Sequence, residues 1–199
     1  CTFIRGWEGF GKRFTITDCE GNVIREIDHE PAMDIYRKYL NIIPGDKFIY
    51  DGIAFPFLVE ENGVECIRNT LTAPDPDDVI VMKDLKNGMS VRLSYGEKKT
   101  ILKHVRDRLS FVTDFAPEAV RIYSCTGRKM FWGDDDISEE SEVFDEIAST
   151  VGFYTKGEII RIDDYLHYMN STMVLAVARE GEPQSYNYDI EDLTMSDGS

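Results

Sequence analysis

Two segments of the chain bring glycine, aromatic and ionisable residues together in a way that could hold a small molecule. The first is Ser124-Cys125-Thr126-Gly127-Arg128-Lys129-Met130-Phe131-Trp132-Gly133. The second is Val151-Gly152-Phe153-Tyr154-Thr155-Lys156-Gly157-Glu158-Ile159, followed by Leu166-His167 and Asn170-Ser171-Thr172. Glycines beside strand ends let the backbone approach a ligand closely, and neighbouring aromatics supply a wall. The candidate ligand-binding residues are therefore Cys125, Arg128, Tyr154, Gly157, Glu158, His167 and Asn170.

Each of these side chains has a plainer role beside the functional one. Cys125 ends an apolar stretch, where a cysteine is more often an inert buried thiol than a nucleophile. A catalytic thiol would need a histidine, and His104 and His167 are the two that could approach it through the fold. Arg128 could grip a ligand carboxylate with its planar fork, or pair with an internal acid such as Glu158. Glu158, between Gly157 and Ile159-Ile160, is either a ligand contact or a structural partner. His167 reads as structural or capping, with a ligand role as the alternative. No dinucleotide fingerprint stands at a strand–helix junction, and no P-loop, G-x-S-x-G or H-E-x-x-H occurs, so no cofactor or metal is called for.

The elements that must position these residues can be read from periodicity. Phe14 and Ile16 alternate with threonines, and Glu20-Gly21-Asn22 turns the chain into Val23–Ile27, which predicts a β-hairpin. Pro31 fits the first turn of a helix, and Ala32, Ile35, Tyr36, Tyr39 and Leu40 give that helix a buried stripe up to Pro44-Gly45. Ile53, Phe55, Phe57 and Val59 alternate into Asn62-Gly63 and return through Val64–Arg68, a second hairpin. Residues 73–78 read as a loop, and short strands at 79–82 and 90–94 flank an Asn87-Gly88 turn. A helix at about 97–110 places Ile101, Leu102, Val105 and Leu109 inside, with Lys98, Lys99, Lys103, His104, Arg106 and Arg108 on the solvated face. Ala119–Cys125 is a buried strand ending at Gly127, a helix starts at Ser138 with Val143, Phe144, Ile147 and Val151 inward, and Met173–Ala178 is a final strand. Strands and helices do not alternate, so the predicted class is α+β, with a mixed, largely antiparallel sheet and flanking helices.

Charge narrows the function classes. The 199 residues carry a formal charge of −15, from 22 basic and 37 acidic residues. Asp134–Glu146 holds eight acidic residues and no basic one, and Glu180–Ser199 holds six more and no basic one. Without those fourteen the rest is nearly neutral, so a nucleic-acid partner has little electrostatic support. The 180–199 segment lacks periodicity and reads as an acidic linker or tail. No apolar run reaches the ~20 residues a membrane-spanning helix needs, so no membrane role is expected. The four cysteines stand far apart without a C-x-x-C pair, as expected for reduced thiols in the cytoplasm.

The ordered blocks Arg121–Arg128 with Gly133, Gly152–Ile159, and Leu166-His167 with Asn170 and Thr172 resemble the FIST C domain. Gly6–Gly11, Asn22–Asp28 and Pro31–Tyr36 resemble the end of the preceding FIST N domain and its junction. The resemblance implies three segments: 1–30 as the end of the FIST N-like domain, 31–179 as the FIST C-like domain, and 180–199 as linker. It further implies an intracellular sensory module of a bacterial signal-transduction protein, not itself an enzyme. Such a module would bind a small ligand such as an amino acid. It would work with an N-terminal FIST half and a C-terminal output domain, for instance a diguanylate cyclase. Two alternatives stand beside it: a thiol-dependent enzyme using Cys125 and a histidine, and a protein-interaction domain without a small-molecule pocket.

Overall fold

In the computed structural model, which describes residues 1–182, the chain divides into two compact units. One is Glu8–Tyr95; the other joins Cys1–Trp7 to the chain from Gly96 onward. The boundary inferred at 30/31 from the resemblance falls inside the Glu8–Tyr95 unit. Strand β1 (Thr2–Ile4) belongs to the other one.

The Glu8–Tyr95 unit is built on one sheet. The predicted first hairpin forms from β2 (Trp7–Glu20) and β3 (Val23–Ile27), with Gly21 at positive φ in the turn. The short β4 (Glu30–Pro31) pairs back onto β3, so Pro31 sits in an edge strand instead of a helix. Proline lacks the N–H that a central strand requires, and an edge tolerates that equally well. Helix α1 (Asp34–Leu40) follows and buries Ile35 and Tyr36. Helix α2 (Phe48–Ala54) takes up Ile53, so the alternation read from Ile53 onward begins only with β5 (Phe57–Glu61). Pro56 stands at that change, because the residue before a proline is pushed out of the helical region. β5 and β6 (Val64–Arg68) form the second hairpin through Asn62 and Gly63, both at positive φ. That pair of conformations is what a two-residue hairpin turn needs.

β7 (Thr70–Thr72), β8 (Val79–Val81) and β9 (Ser90–Gly96) complete the sheet in the order β6-β5-β9-β2-β3-β8-β7. β8 and β9 do not pair with each other across Asn87-Gly88; β8 lies between β3 and β7, and β9 lies against β5. The core gathers Phe14, Ile16, Ile24, Ile27, Tyr36, Phe48 and Phe57.

The other unit carries the two polar segments. Helix α3 (Lys98–Phe115) buries Ile101, His104, Val105 and Val112. His104 therefore leaves the solvated face assigned to it, since its position one turn from Ile101 and beside Val105 falls on the apolar stripe. Strand β10 (Ala119–Cys125) runs directly into helix α4 (Thr126–Trp132), so Gly127 and Arg128 lie in a first helical turn and not in a glycine-rich loop. The acidic segment becomes helical where expected, as a 3-10 turn (Ile137–Glu140) whose Ser138 N–H is accepted by Asp136, then α5 (Glu142–Asp145).

β11 (Ser149–Thr155), the hairpin β12 (Glu158–Ile162) and β13 (Tyr165–Met169), and β14 (Met173–Ala178) close the unit. The sheet order is β1-β14-β10-β11, with β10 and β11 parallel and the other pairs antiparallel. One face packs Val120, Ile122, Met173 and Leu175 against Ile4, Val105, Val112 and Phe144. β11 is the outer strand; Val151, expected inside, is exposed there with Phe153 and Tyr154. The class is α+β with mostly antiparallel sheet. No helix among the described residues is long and apolar enough to cross a membrane. Nearly all of the acidic segment expected as a tail lies outside the described residues.

Candidate functional site

Successive side chains of a strand point to opposite faces, so the end of β10 serves two environments at once. Ile122 and Ser124 share one face. In register they oppose Gly152 and Tyr154 of β11, and Ser124 also opposes Met173 of β14. These residues floor a pocket of about 260 Å³, walled by Ile137, Glu140, Ser141 and Asp145 of the acidic segment. Gly152 is required here by a close approach: a Cβ at that position would lie 2.6 Å from the Ile122 carbonyl oxygen. Ser124 is 6% exposed, and its hydroxyl makes no hydrogen bond. Buried polar atoms nearly always find a partner, so an orphan hydroxyl on a pocket floor marks a position where something else can bond. Burial raises the Tyr154 phenol, helped by the Glu140 charge and opposed by Arg128, and Lys129 Nζ stands 5.1 Å from the centre of its ring.

The opposite face carries a buried polar cluster. Glu158, 3% exposed at the start of β12, accepts a hydrogen bond from the Thr155 hydroxyl at Oε1 while Oε2 makes none. Burial pushes its carboxyl up to about 7, opposed by that hydroxyl and then by the Cys125 thiol. Cys125 is itself pushed up to about 11, by burial first and the Glu158 charge second, against the pull of the Gly127 and Ser171 N–H groups. Thr172 ties the cluster to the next strand: its carbonyl accepts from Cys125 N at 3.0 Å, and its hydroxyl donates to the Asn170 carbonyl at 2.8 Å.

Arg128 acts on Glu158 only through its charge and makes its ion pair elsewhere. It is completely buried in α4, where its Nε donates to Glu140 Oε2 at 2.7 Å and its Nη1 donates to the carbonyls of Arg5 at 2.6 Å and Ser171 at 3.1 Å. Its guanidinium also faces the Trp7 ring at 5.6 Å. Glu140, 1% exposed, accepts a further bond from Trp132 Nε1. The internal acid that receives Arg128 is thus Glu140, where the sequence had offered Glu158. Starting a helix at Thr126 sends Arg128 toward the 3-10 turn and β1, and no spacing rule links positions 128 and 140.

The remaining candidates are structural neighbours of these groups. Gly157 packs under Tyr168, whose hydroxyl oxygen would lie 2.2 Å from a Cβ there and which donates to the Lys156 carbonyl at 3.3 Å. Asn170 Nδ2 donates to the Tyr168 oxygen at 3.4 Å, and its own side-chain oxygen is buried without a partner. His167 is buried in the β12–β13 hairpin opposite Ile160. Of the seven candidates, only Tyr154 lines the pocket, while Cys125 and Glu158 meet on the other face. Ser124 and Gly152 stood in the quoted segments without being singled out. Asp145 and Ser141 stood in the acidic segment read as a helix from Ser138, without being singled out.

Residues 32–161 match the sequence pattern of the FIST C domain. This chain belongs to the FIST C domain family. The FIST C match takes in β10, α4, the acidic segment and β11, hence all of the pocket except Met173, and ends inside β12 before His167 and Asn170. Gly6–Gly11 and Asn22–Asp28, likened above to the end of a FIST N domain, lie outside it, whereas the Pro31–Tyr36 block likened to the same junction falls inside from Ala32 onward. No curated protein and no solved structure matches the chain.

Proposed function

We propose that this chain is the ligand-binding input part of a bacterial, cytoplasmic signal-transduction protein. It takes up a small metabolite, amino acids included, and passes its occupancy to an output domain carried by the same protein. Membership of a sensory-type domain family supports the signalling half of this reading. The observation that carries the binding half is the pocket beneath the acidic segment, with the unpartnered Ser124 hydroxyl on its floor. A binding role, in preference to catalysis, draws support from Cys125, because burial holds its thiol up near 11 and suppresses the thiolate a nucleophile needs.

A thermal-shift screen of the full chain against small polar metabolites tests the reading. A compound present at 100 times its dissociation constant adds about 2.7 kcal/mol of stability. At least one compound should raise the melting temperature of the wild type and lose that effect when Ser141→Leu fills the pocket from its wall. A screen in which nothing shifts the wild type overturns the proposal.

A further inference from the structure

We infer that the pocket beneath the acidic segment recognises the ammonium group of a small amine, a specificity that rests on the ligand-binding reading above. Three observations converge on a positive ligand. The pocket wall comes from Asp134–Glu146, a stretch with eight acidic residues and no basic one. Two of those acids already have cations: Asp135 pairs with Lys98, and Glu140 with Arg128. Asp145 is the exposed carboxylate that lines the cavity itself.

The floor supplies what an ammonium lacks elsewhere. The Ser124 hydroxyl is buried with no partner and can accept an N–H donor. The Tyr154 ring already draws the Lys129 ammonium to 5.1 Å, which shows that its face suits a cation. Lys129 brings its own positive charge to this ring, and the Asp145 carboxylate of the wall stands as the counter-charge that Glu140, paired with Arg128, does not supply. A carboxylate ligand would meet the Asp145 carboxylate, while the Arg128 guanidinium is already paired with Glu140 through Nε and bonded to backbone carbonyls through Nη1, its buried Nη2 alone making no hydrogen bond. The volume of about 260 Å³ lies just under the ~300–1,000 Å³ of pockets for drug-sized ligands, which favours a chain of a few carbons.

Calorimetric titration of the full chain with three ligands of equal length separates the classes: 1,4-diaminobutane, 4-aminobutanoate and succinate. The diamine should bind best and succinate worst. Binding of the diamine should weaken about tenfold in Asp145→Asn, and again in 0.5 M salt, where exposed charges are screened. Ser124→Ala should also weaken it while leaving the melting temperature of the ligand-free chain unchanged or higher, because an orphan buried hydroxyl contributes no bond to the fold. Tightest binding by succinate, or undiminished diamine binding in Asp145→Asn, overturns the amine assignment and leaves a pocket of another specificity. If none of the three binds while the metabolite screen finds another ligand, the amine class alone falls. If the screen also finds nothing, the binding reading falls with it.

Discussion

Arg128 and Glu140 form an ion pair with no access to solvent, Nε to Oε2 at 2.7 Å, and each has further hydrogen bonds of its own. Such a pair is weak evidence of net stabilisation, but removing one partner leaves an uncompensated buried charge. Arg128→Ala and Glu140→Ala should each cost about 3–5 kcal/mol in urea denaturation. The double variant should cost less than the sum by about 0.5–3 kcal/mol, because the second substitution removes the charge the first one orphaned. Additive losses would show that the two side chains act independently. Arg128→Ala should therefore act mainly on the fold and only indirectly on any ligand.

Glu158 gives the fold a dependence on pH in a window where most carboxylates are silent. In the unfolded chain it loses its proton near the ordinary 4.5, whereas in the fold it keeps it up to about 7. The folded state holds more proton between those values. Stability from this group is therefore full below pH 4.5, declines as pH rises toward 7 and levels off above, by about 3 kcal/mol in all. Asp28, Asp34 and Asp136 are held below their usual range by hydrogen bonds, so their contributions fade only in more acidic solution. Urea midpoints at pH 5, 6 and 8 should fall for the wild type and flatten in Glu158→Gln. An unchanged slope in the variant would assign the dependence to another group.

Cys125 should be the slowest kind of thiol. With its proton held up to about 11, its thiolate at pH 8 is on the order of one part in a thousand, and the side chain is buried as well. Iodoacetamide followed by mass spectrometry should label the exposed Cys1 first and Cys125 only as the fold opens. Labelling of Cys125 as fast as Cys1 would restore the thiol-enzyme alternative.

The sequence made the class and the longer strands legible because they follow period-two alternation bounded by strong turns, as at Asn62-Gly63. It misled where two elements share a residue pattern. The Ile53–Val59 alternation crossed from α2 into β5, and only Pro56 marked the change. It was silent on α4, because Thr126-Gly127-Arg128 has the composition of a loop and becomes helical through tertiary ties such as the Thr126 hydroxyl donating to the Thr155 carbonyl at 2.8 Å. The site was half legible for a related reason. Ser124 and Cys125 are neighbours in sequence, but strand geometry sends one to the pocket and the other to Glu158. Singling out the reactive residue types chose Cys125 and passed over Ser124. The Arg128–Glu140 pair depends on a packing relationship that no local spacing encodes.

From Ser149 to Thr155 the outer strand β11 carries no charge, no proline and several bare apolar side chains. One of its edges is stitched to β10, and the other has no strand beside it among the described residues. Native sheets usually defend such a rim with lysines, bulges or a cover. Here the defence falls to long-range repulsion from the net charge of −15. Acidification toward the isoelectric point near 4.6 withdraws it. Light scattering of concentrated solutions should therefore rise as the pH is lowered toward that point, and a charge placed on the rim by Val151→Lys should suppress the rise.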